Sequence, residues 1–324
     1  MATILVTGAA GFIGAAVSRA LLARGDSVVG VDNLNAYYDV ALKEARLKPL
    51  KADRNFRFHK LDIADRDAML KLADEYSGID HIVHLAAQAG VRYSLTDPYA
   101  YVTSNLMGQA VMLELARKLS QLKHFVYASS SSVYGANDKV PFSVEDAVEQ
   151  PQSLYAATKR AGELFGYTYA HLYGIPATGL RFFTVYGPWG RPDMAYFSFT
   201  RAILAGESMP VYNNGEMWRD FTYIDDIVDG VLKALAHIPA GKPPHAVYNL
   251  GNHRSEKLTD FIAVIEQALQ RKAVISFQPM QPGDVPRTYA DIEASRHDLG
   301  FEPSTPISAG IPKFVAWYKS FYGV

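Results

Sequence analysis

A glycine-rich turn near the N-terminus places the strongest constraint on how this chain folds. Gly8, Gly11 and Gly14 follow the apolar, β-branched segment Thr3–Val6 and open a helical apolar pattern over Phe12–Ala23. Glycine permits a tight turn and lets the phosphates of a ligand approach backbone N–H groups, where a helix N-terminus adds partial positive charge. The strand–turn–helix order therefore predicts a binding site for a dinucleotide.

Asp32 indicates which dinucleotide the turn would bind. It follows the second predicted strand, Ser27–Val31, and lies 18 residues after Gly14. A carboxylate at this place can accept both ribose hydroxyls of NAD, and it repels the 2′-phosphate of NADP. A tight turn with a helix-capping aspartate is the alternative, which the strand–turn–helix order disfavours. We therefore predict NAD as the cofactor.

The rest of the chain alternates strand and helix signals. Strands are predicted at Phe56–His59, His81–Leu85, Phe125–Ala128 and Ala177–Phe183, with helical patterns at about Asp65–Tyr76, Pro98–Leu119 and Ser153–Tyr173. This alternation predicts an α/β fold, a Rossmann-type doubly wound parallel sheet covered on both faces. A smaller C-terminal substrate domain is expected to be interleaved with it.

The domain boundaries follow from a change in composition. Prolines and aromatic residues become frequent after about residue 180, and a helix–strand unit over about Ile224–Leu250 is expected to rejoin the first sheet. We predict an NAD-binding domain of residues 1–180 plus about 222–252. A second, substrate-binding domain is predicted to comprise about 181–221 plus 253–324.

Composition excludes several classes of protein. The chain has 32 basic and 33 acidic residues, which argues against a nucleic-acid or membrane-surface partner. It has no cysteine, which excludes disulfides and a thiol nucleophile, and its nine histidines show no metal-ligand spacing. Residues 1–18 lack charge but contain three glycines and no basic segment, so they do not resemble a signal peptide or membrane span. We expect a cytoplasmic protein without a metal site.

Tyr155 and Lys159 lie four residues apart, on one face of a predicted helix. A nearby ammonium and a positive nicotinamide ring favour the phenolate, and lowering a tyrosine pKa from about 10 to about 7 requires roughly 4 kcal/mol. Such a pair is common on helices by itself. The four serines Ser129–Ser132, which follow a predicted strand at the carboxyl edge of the sheet, make a catalytic base the better interpretation.

Together these motifs resemble the extended short-chain dehydrogenase/reductase superfamily, over nearly the whole chain. The segments His84–Arg92, Arg181–Pro188 and Arg219–Asp226 resemble its nucleotide-sugar epimerase branch. Within that branch, Asp32–Asp39 and Tyr186–Met194 are most similar to UDP-glucuronate 4-epimerases. The resemblance also implies a homodimer, formed through the helices near Pro98–Leu119 and Ser153–Tyr173.

The resemblance assigns roles to matching positions. It implies that Tyr155 is the general base, that Lys159 is its pKa partner and a ribose contact, and that Ser130 hydrogen-bonds the reacting oxygen. The implied NAD-binding residues are Gly8, Gly11, Phe12, Ile13, Gly14, Asp32, Asn33, Asp62, Ile63, Leu85, Ala86, Ala87, Gln88, Asn105, Tyr155 and Lys159. The implied residues for the UDP-sugar are Arg92, Ser130, Ser131, Ser132, Thr184, Arg191, Arg219 and Arg287.

The implied reaction is the reversible, NAD-dependent C4 epimerisation of UDP-glucuronate to UDP-galacturonate through a 4-keto intermediate. That intermediate is a β-keto acid, which loses carbon dioxide when the breaking bond aligns with the carbonyl π system. The resemblance places Ser131, Ser132, Thr184 and Arg191 on the carboxylate to prevent this alignment, and Arg219 and Arg287 on the diphosphate. A guanidinium can bind a carboxylate through two hydrogen bonds.

Several alternatives remain open at this point. Other UDP-sugar enzymes of the fold include UDP-glucose or UDP-N-acetylglucosamine 4-epimerases, UDP-glucuronate decarboxylases and 4,6-dehydratases. Thr184 replaces the asparagine of UDP-galactose 4-epimerases, Ser132 replaces the glutamate of decarboxylases, and Ser131 with Ser132 replaces the dehydratases' acid pair. A non-catalytic NAD-sensing regulator is a further alternative. Arg191 could be an exposed loop arginine, and Arg92 could pair with a surface carboxylate.

Overall fold

The computed structural model describes residues 1–281 and 284–324. Its strands are β1 (Thr3–Thr7), β2 (Ser27–Asp32), β3 (Phe56–Lys60), β4 (His81–His84), β5 (His124–Ser130), β6 (Ala177–Phe182), β7 (Thr184–Tyr186), β8 (Ser208–Val211), β9 (Trp218–Tyr223), β10 (His245–Leu250), β11 (Ser255–Lys257) and β12 (Val274–Phe277).

The α-helices alternate with these strands in the first half of the chain. They are α1 (Phe12–Ala23), α2 (Val40–Lys51), α3 (Arg66–Glu75), α4 (Pro98–Tyr101), α5 (Gly108–Lys118), α6 (Leu154–Tyr173), α7 (Ala195–Ala205), α8 (Ile224–Ala236), α9 (Leu258–Leu269), α10 (Glu293–Leu299) and α11 (Ile307–Tyr322). A π-helical segment, Val102–Met107, joins α4 to α5, so the predicted helix over Pro98–Leu119 is continuous but locally widened.

The central sheet has seven parallel strands in the order β10-β6-β5-β4-β1-β2-β3. The strand order reverses at β1, which pairs with β2 on one side and with β4 on the other. Ligands of open α/β sheets bind at such a switch point, beyond the carboxyl ends of the strands. The predicted Rossmann-type fold is confirmed, and so is the return of the chain to this sheet through β10.

The C-terminal half adds two small sheets, one of three strands in the order β11-β9-β7 and one that pairs β12 with β8. A single apolar cluster connects the central sheet with these additions, since it contains Val6 of β1, Leu180 of β6, Phe221 of β9 and Phe314 of α11. The exact residue boundaries of the two predicted domains stay a prediction. Within the described ranges, no helix combines the length and apolar character needed to cross a bilayer.

Candidate active site

A cavity of about 420 Å³ lies along the carboxyl edge of the central sheet. The ends of β1, β2, β4, β5 and β6 contribute to its wall, together with the first turn of α6 and the segment after β7. Most of the predicted site residues therefore meet in one place, although they come from segments spread over more than half of the sequence.

The glycine turn occupies one end of this cavity. Gly8 has a φ of +70°, and a Cβ there would lie 2.9 Å from the backbone nitrogen of Ala86, at the end of β4. A Cβ on Gly14 would overlap the carbonyl oxygen of Gly8. Only glycine fits these positions, and the first turn of α1 then presents its N–H groups to the cavity.

Asp32 lies beside this turn, buried at the end of β2. Its Oδ2 accepts a hydrogen bond from the N–H of Ala10 at 3.1 Å, and its Oδ1 accepts one from Leu34 at 2.8 Å. Each carboxylate oxygen can accept a further hydrogen bond, so two ribose hydroxyls can still be bound. This acceptor set and the glycine cradle fit NAD. Asn33 lines the cavity, whereas Asp62 lies behind it, and Asn33 Nδ2 donates to Asp62 Oδ2 at 2.9 Å.

Asn105 acts on the cavity indirectly, from the π-helical segment. Its Oδ1 accepts the N–H of Gln88 at 2.8 Å, and its Nδ2 donates to the carbonyl of Gln88 and to Thr158, each at 3.0 Å. The side chain is buried and does not line the cavity. Asn105 thus fixes the loop after β4, which forms the cavity wall, to α6.

Tyr155, Lys159 and Ser130 meet where β5 ends against α6, and all three line the cavity. Lys159 Nζ donates to the carbonyl of Ala128 at 2.9 Å and lies 6.0 Å from the centre of the Tyr155 ring. Burial lowers the pKa of Lys159 to about 8. Burial raises the pKa of Tyr155, while the neighbouring Ser130 hydroxyl and the Arg191 charge oppose that rise.

The predicted lowering of the tyrosine pKa concerns the site with its cofactor and stays a prediction. From the sequence we expected Lys159 and the nicotinamide ring together to lower the pKa of Tyr155, whereas in the protein alone burial raises that pKa. The reason is that the phenol is buried, whereas the ammonium points to the carbonyl of Ala128. Desolvation of the phenolate is thus the largest influence on the Tyr155 pKa in the protein alone.

The serine run turns into the cavity after Ser130. Ser130 Oγ donates to Ser132 Oγ at 3.2 Å and accepts the N–H of Ser132 at the same distance, which begins a 3₁₀ turn. Ser131 and Ser132 line the cavity. Ser129 points the other way, because its hydroxyl donates to the buried carboxylate of Glu163 at 2.6 Å. Three of the four hydroxyls are thus available to a substrate.

Arg191 reaches the cavity from the loop after β7, beside Thr184. Its Nε and Nη2 donate to the two carboxylate oxygens of Asp193, at 3.0 and 2.6 Å. Tyr37 donates its hydroxyl to Asp193 Oδ2 at 3.2 Å. Arg191 is therefore not an exposed loop arginine. It is an ordered cation whose Nε and Nη2 edge is occupied by the carboxylate of Asp193.

Of the three further predicted arginines, one lines the cavity and two do not. Arg219 lines the cavity, and burial lowers its pKa to about 10. Arg92 does not line the cavity. Its Nη2 donates to Asp284 Oδ2 at 2.9 Å, and its guanidinium stacks on the ring of Tyr212. Arg287 also lies outside the lining, where it bridges to Trp218 and contacts Ser255.

Sequence reasoning missed several cavity residues in the loop after β2 and at the start of α2. These are Asn35, Tyr37, Tyr38 and Lys43. Lys43 Nζ donates to the carbonyl and side-chain oxygens of Asn35, at 2.8 and 2.7 Å, and burial lowers its pKa. The local signal is the run of polar and aromatic residues over Asp32–Asp39, which carried the family resemblance, but no periodicity indicates that this loop lines the cavity.

A family model described as "NAD dependent epimerase/dehydratase family" matches residues 4–251. The chain belongs to this family. UDP-glucuronate 4-epimerase 1 of Arabidopsis thaliana is 48% identical over 334 residues, which cover 99% of this chain and 77% of that protein. The extended-family resemblance predicted from the motifs is confirmed.

Solved structures of the family superpose along the whole chain. The UDP-glucuronic acid 4-epimerase of Bacillus cereus, in complex with UDP-glucuronic acid and NAD, has a TM-score of 0.91 at 35% identity and covers 99% of this chain and 100% of its own. The UDP-glucose 4-epimerase of Thermotoga maritima, with UDP-glucose, has a TM-score of 0.89 at 29% identity and covers 99% of both chains. The fold is thus shared by enzymes that act on charged and on uncharged sugars.

Proposed function

We propose that this protein interconverts UDP-glucuronate and UDP-galacturonate by NAD-dependent epimerisation at C4 of the sugar. The observation that carries the proposal is the convergence of Tyr155, Ser130 and Arg191 on one cavity that also contains the glycine turn. A base, a hydrogen-bond donor and a carboxylate-binding cation are the groups this reaction needs around a uronic acid. The named activities of the Arabidopsis and Bacillus relatives support the same choice.

The cofactor is proposed to lie between the glycine turn and α6. Gly8, Gly11 and Gly14 would receive its pyrophosphate, Asp32 would accept its ribose hydroxyls, and Lys159 would contact its second ribose. When bound, NAD supplies the reversible hydride acceptor that inversion at a hydroxyl-bearing carbon requires.

The remaining chemistry belongs to the protein's own side chains. Tyr155 takes the proton of the C4 hydroxyl and returns it after the 4-keto sugar has turned over in the cavity. The Ser130 hydroxyl donates a hydrogen bond to the same oxygen. The positive charge of Arg191 favours the Tyr155 phenolate, whereas burial and the negative charge of Asp193 disfavour it. Arg219 is proposed to anchor the diphosphate during the turnover of the sugar, with Arg287 and Arg92 nearby.

Carboxylate binding distinguishes this reaction from decarboxylation. Ser131, Ser132, Thr184 and Arg191 are proposed to hold the carboxylate out of alignment with the C4 carbonyl. The wall at this place offers hydroxyls and a guanidinium, which suit a charged carboxylate better than the C6 hydroxyl of a neutral hexose.

The first test uses purified protein, UDP-glucuronate and no added NAD, followed by proton NMR. We expect UDP-galacturonate to appear, with NAD copurifying with the protein. Tyr155→Phe should reduce turnover by at least about a hundredfold and leave bound NAD unchanged, because general base catalysis contributes about 10²- to 10⁴-fold. UDP-pentose as the product, or turnover of UDP-glucose alone, would refute the proposal.

A homodimer and a cytoplasmic location complete the proposal. The π-helical segment and α6 pack against each other and expose the apolar side chains of Val102, Met107, Leu164 and Tyr167. Exposed apolar groups on adjoining helices are typical of an interface between subunits. A second copy of this chain is the proposed partner, and cell fractionation tests the location.

A further inference from the structure

Arg46 is a buried arginine outside the catalytic machinery described above. It lies on α2, is 0% exposed, and does not line the cavity. A guanidinium has five N–H groups, and five hydrogen bonds leave Arg46. The five bonds end on four neutral oxygens, and among the described residues no carboxylate forms an ion pair with Arg46. Burying a charge without a counter-ion costs free energy. An arginine buried at that cost is expected to hold in place the segments that accept its hydrogen bonds.

Its acceptors belong to both halves of the site. Nη1 donates to the carbonyl of Ala10, in the glycine turn, at 3.1 Å and to the Tyr38 hydroxyl at 2.6 Å. Nε and Nη2 donate to the carbonyl of Trp189 at 3.0 and 2.6 Å, and Nη2 also donates to the carbonyl of Gly190 at 3.0 Å. Trp189 and Gly190 immediately precede Arg191.

The loop of residues 187–191, which we call the arginine loop, contains one backbone hydrogen bond, from the N–H of Gly190 to the carbonyl of Gly187 at 3.2 Å. Trp189 has a φ of +66°, an unfavourable region for a residue with a side chain. Its ring packs against Trp317 and Phe321 of α11, with centroids 5.2 Å apart in each pair. Among the described arginines and lysines, only Arg46 donates hydrogen bonds to the carbonyl groups of Trp189 and Gly190 in this loop.

We propose that Arg46 is a positioning residue that fixes the arginine loop to the glycine turn and so sets the place of Arg191. This inference rests on the proposed function, in which Arg191 binds the carboxylate of the substrate. The planar fork of the guanidinium is essential, because it reaches three carbonyl oxygens and a hydroxyl at once, whereas an ammonium has three donors on a single atom.

The consequence is measurable in the products. Without Arg46 the arginine loop relaxes, Arg191 shifts, and the carboxylate of the 4-keto sugar is no longer held out of alignment. The C5–C6 bond then breaks, carbon dioxide leaves, its electron pair forms the C4–C5 enolate, and C5 takes up a proton. The product is the UDP-4-keto-pentose, or a UDP-pentose where the reduced nicotinamide would return its hydride to C4 and Tyr155 its proton to the oxygen.

The test compares Arg46→Met, Arg46→Lys and Leu47→Ala with the wild-type holoenzyme. Leu47 is buried beside Arg46 on α2, so its truncation disturbs packing without removing the five hydrogen bonds. Proton NMR gives the ratio of UDP-pentose to UDP-galacturonate, and hydrogen exchange with mass spectrometry follows peptides covering residues 8–14 and 186–194.

In Arg46→Met we expect kcat/KM to fall about tenfold to a hundredfold, since small misplacements near a reacting centre have effects of this size. The pentose fraction should rise several-fold, and exchange should accelerate in both peptides. Arg46→Lys should shift the same quantities in the same direction by less. Leu47→Ala should keep the wild-type product ratio.

A folded Arg46→Met or Arg46→Lys with the wild-type product ratio and unchanged exchange at 186–194 would overturn the inference. If Arg46→Met fails to fold, Arg46→Lys decides. Wild-type protein that leaves UDP-glucuronate unchanged would refute the proposed function instead, and the exchange of the two peptides would still decide whether Arg46 positions the arginine loop.

Discussion

At the scale of single residues, the site places charges where they are energetically unfavourable. Lys159 is buried and has a neutral carbonyl as its hydrogen-bond partner, so the folded protein holds its ammonium at a cost. That cost is reflected in its pKa, which burial lowers from 10.5 to about 8. A group kept for catalysis at the expense of stability is a common compromise in active sites.

Lys159→Met should therefore stabilise the nucleotide-free protein near pH 7 while abolishing turnover. The lowered pKa of Lys159 corresponds to a cost of about 3 kcal/mol for keeping the buried ammonium charged, which the variant avoids. The variant in turn loses about 1 kcal/mol, because the Ala128 carbonyl no longer has a donor. Between pH 8 and pH 10.5 the unfolded chain keeps a lysine proton that the folded chain has lost, so the free energy of unfolding of the wild type rises with pH. The stability difference between Lys159→Met and the wild type therefore becomes smaller over this range.

Urea unfolding of both proteins at pH 7 and pH 10, after removal of nucleotide, measures this difference. A variant that is less stable than wild type at pH 7, by an amount independent of pH, would contradict the assignment of the low lysine pKa to burial.

At the scale of elements, one buried carboxylate sets the position of α6 against the central sheet. Glu163 accepts hydrogen bonds from Ser129 of β5 at 2.6 Å and from Arg181 of β6 at 2.8 and 3.0 Å. Arg160 adds a partly exposed contact at 3.0 Å. Because α6 also carries Tyr155, this ion pair determines where the catalytic face of the helix lies relative to the end of β5.

Glu163→Gln should lower the free energy of unfolding by about 3–5 kcal/mol, since Arg181 would remain buried without its counter-ion. Arg181 holds the pKa of Glu163 below its usual value of 4.5. The stabilisation is therefore present above pH 4.5 and is lost as the pH falls below it.

Urea unfolding at pH 7 and pH 4 measures both effects, and the gap between variant and wild type should narrow at the lower pH. The matched control is Asp74→Asn, which removes an exposed pair with Lys118 and should cost less than about 1 kcal/mol. Equal losses in the two variants would mean that burial of the Glu163 pair has no special effect.

At the scale of the whole molecule, the exposed apolar surface on α6 and the π-helical segment is where a second copy is proposed to bind. Leu164 is 51% exposed and Met107 is 56% exposed, although both are large apolar residues on well-formed helices. The active-site side of α6 faces the sheet, so an interface on its outer side would brace the helix that carries Tyr155.

Leu164→Glu should convert the dimer to a monomer, because a carboxylate at the centre of an apolar interface loses its hydration without gaining a partner. Light scattering coupled to size exclusion gives the mass, and circular dichroism verifies the fold. Ile238→Glu, at an exposed apolar position after α8, should leave the mass unchanged. A wild-type protein that is monomeric at micromolar concentration would refute the proposed dimer.

Local sequence patterns predicted the fold and most of the residues that line the cavity. The glycine turn, Asp32, the alternation of strands and helices, and the Tyr155–Lys159 pair are local patterns, and local backbone geometry follows from local residues. Parallel strands then bring their carboxyl ends to one edge, which places Ser130 near Tyr155 without any knowledge of side-chain packing.

Only the tertiary structure decided which partner each charged side chain takes. Arg46 bonds to carbonyls 143 and 144 residues away, and Arg92 pairs with a carboxylate 192 residues away. Such pairs leave no periodic signal in the chain. The raised pKa of Tyr155 likewise depends on burial, which several elements create together. The spacing of apolar residues indicates local helix or strand structure, whereas the pKa and the partner of a charged group depend on its neighbours in space.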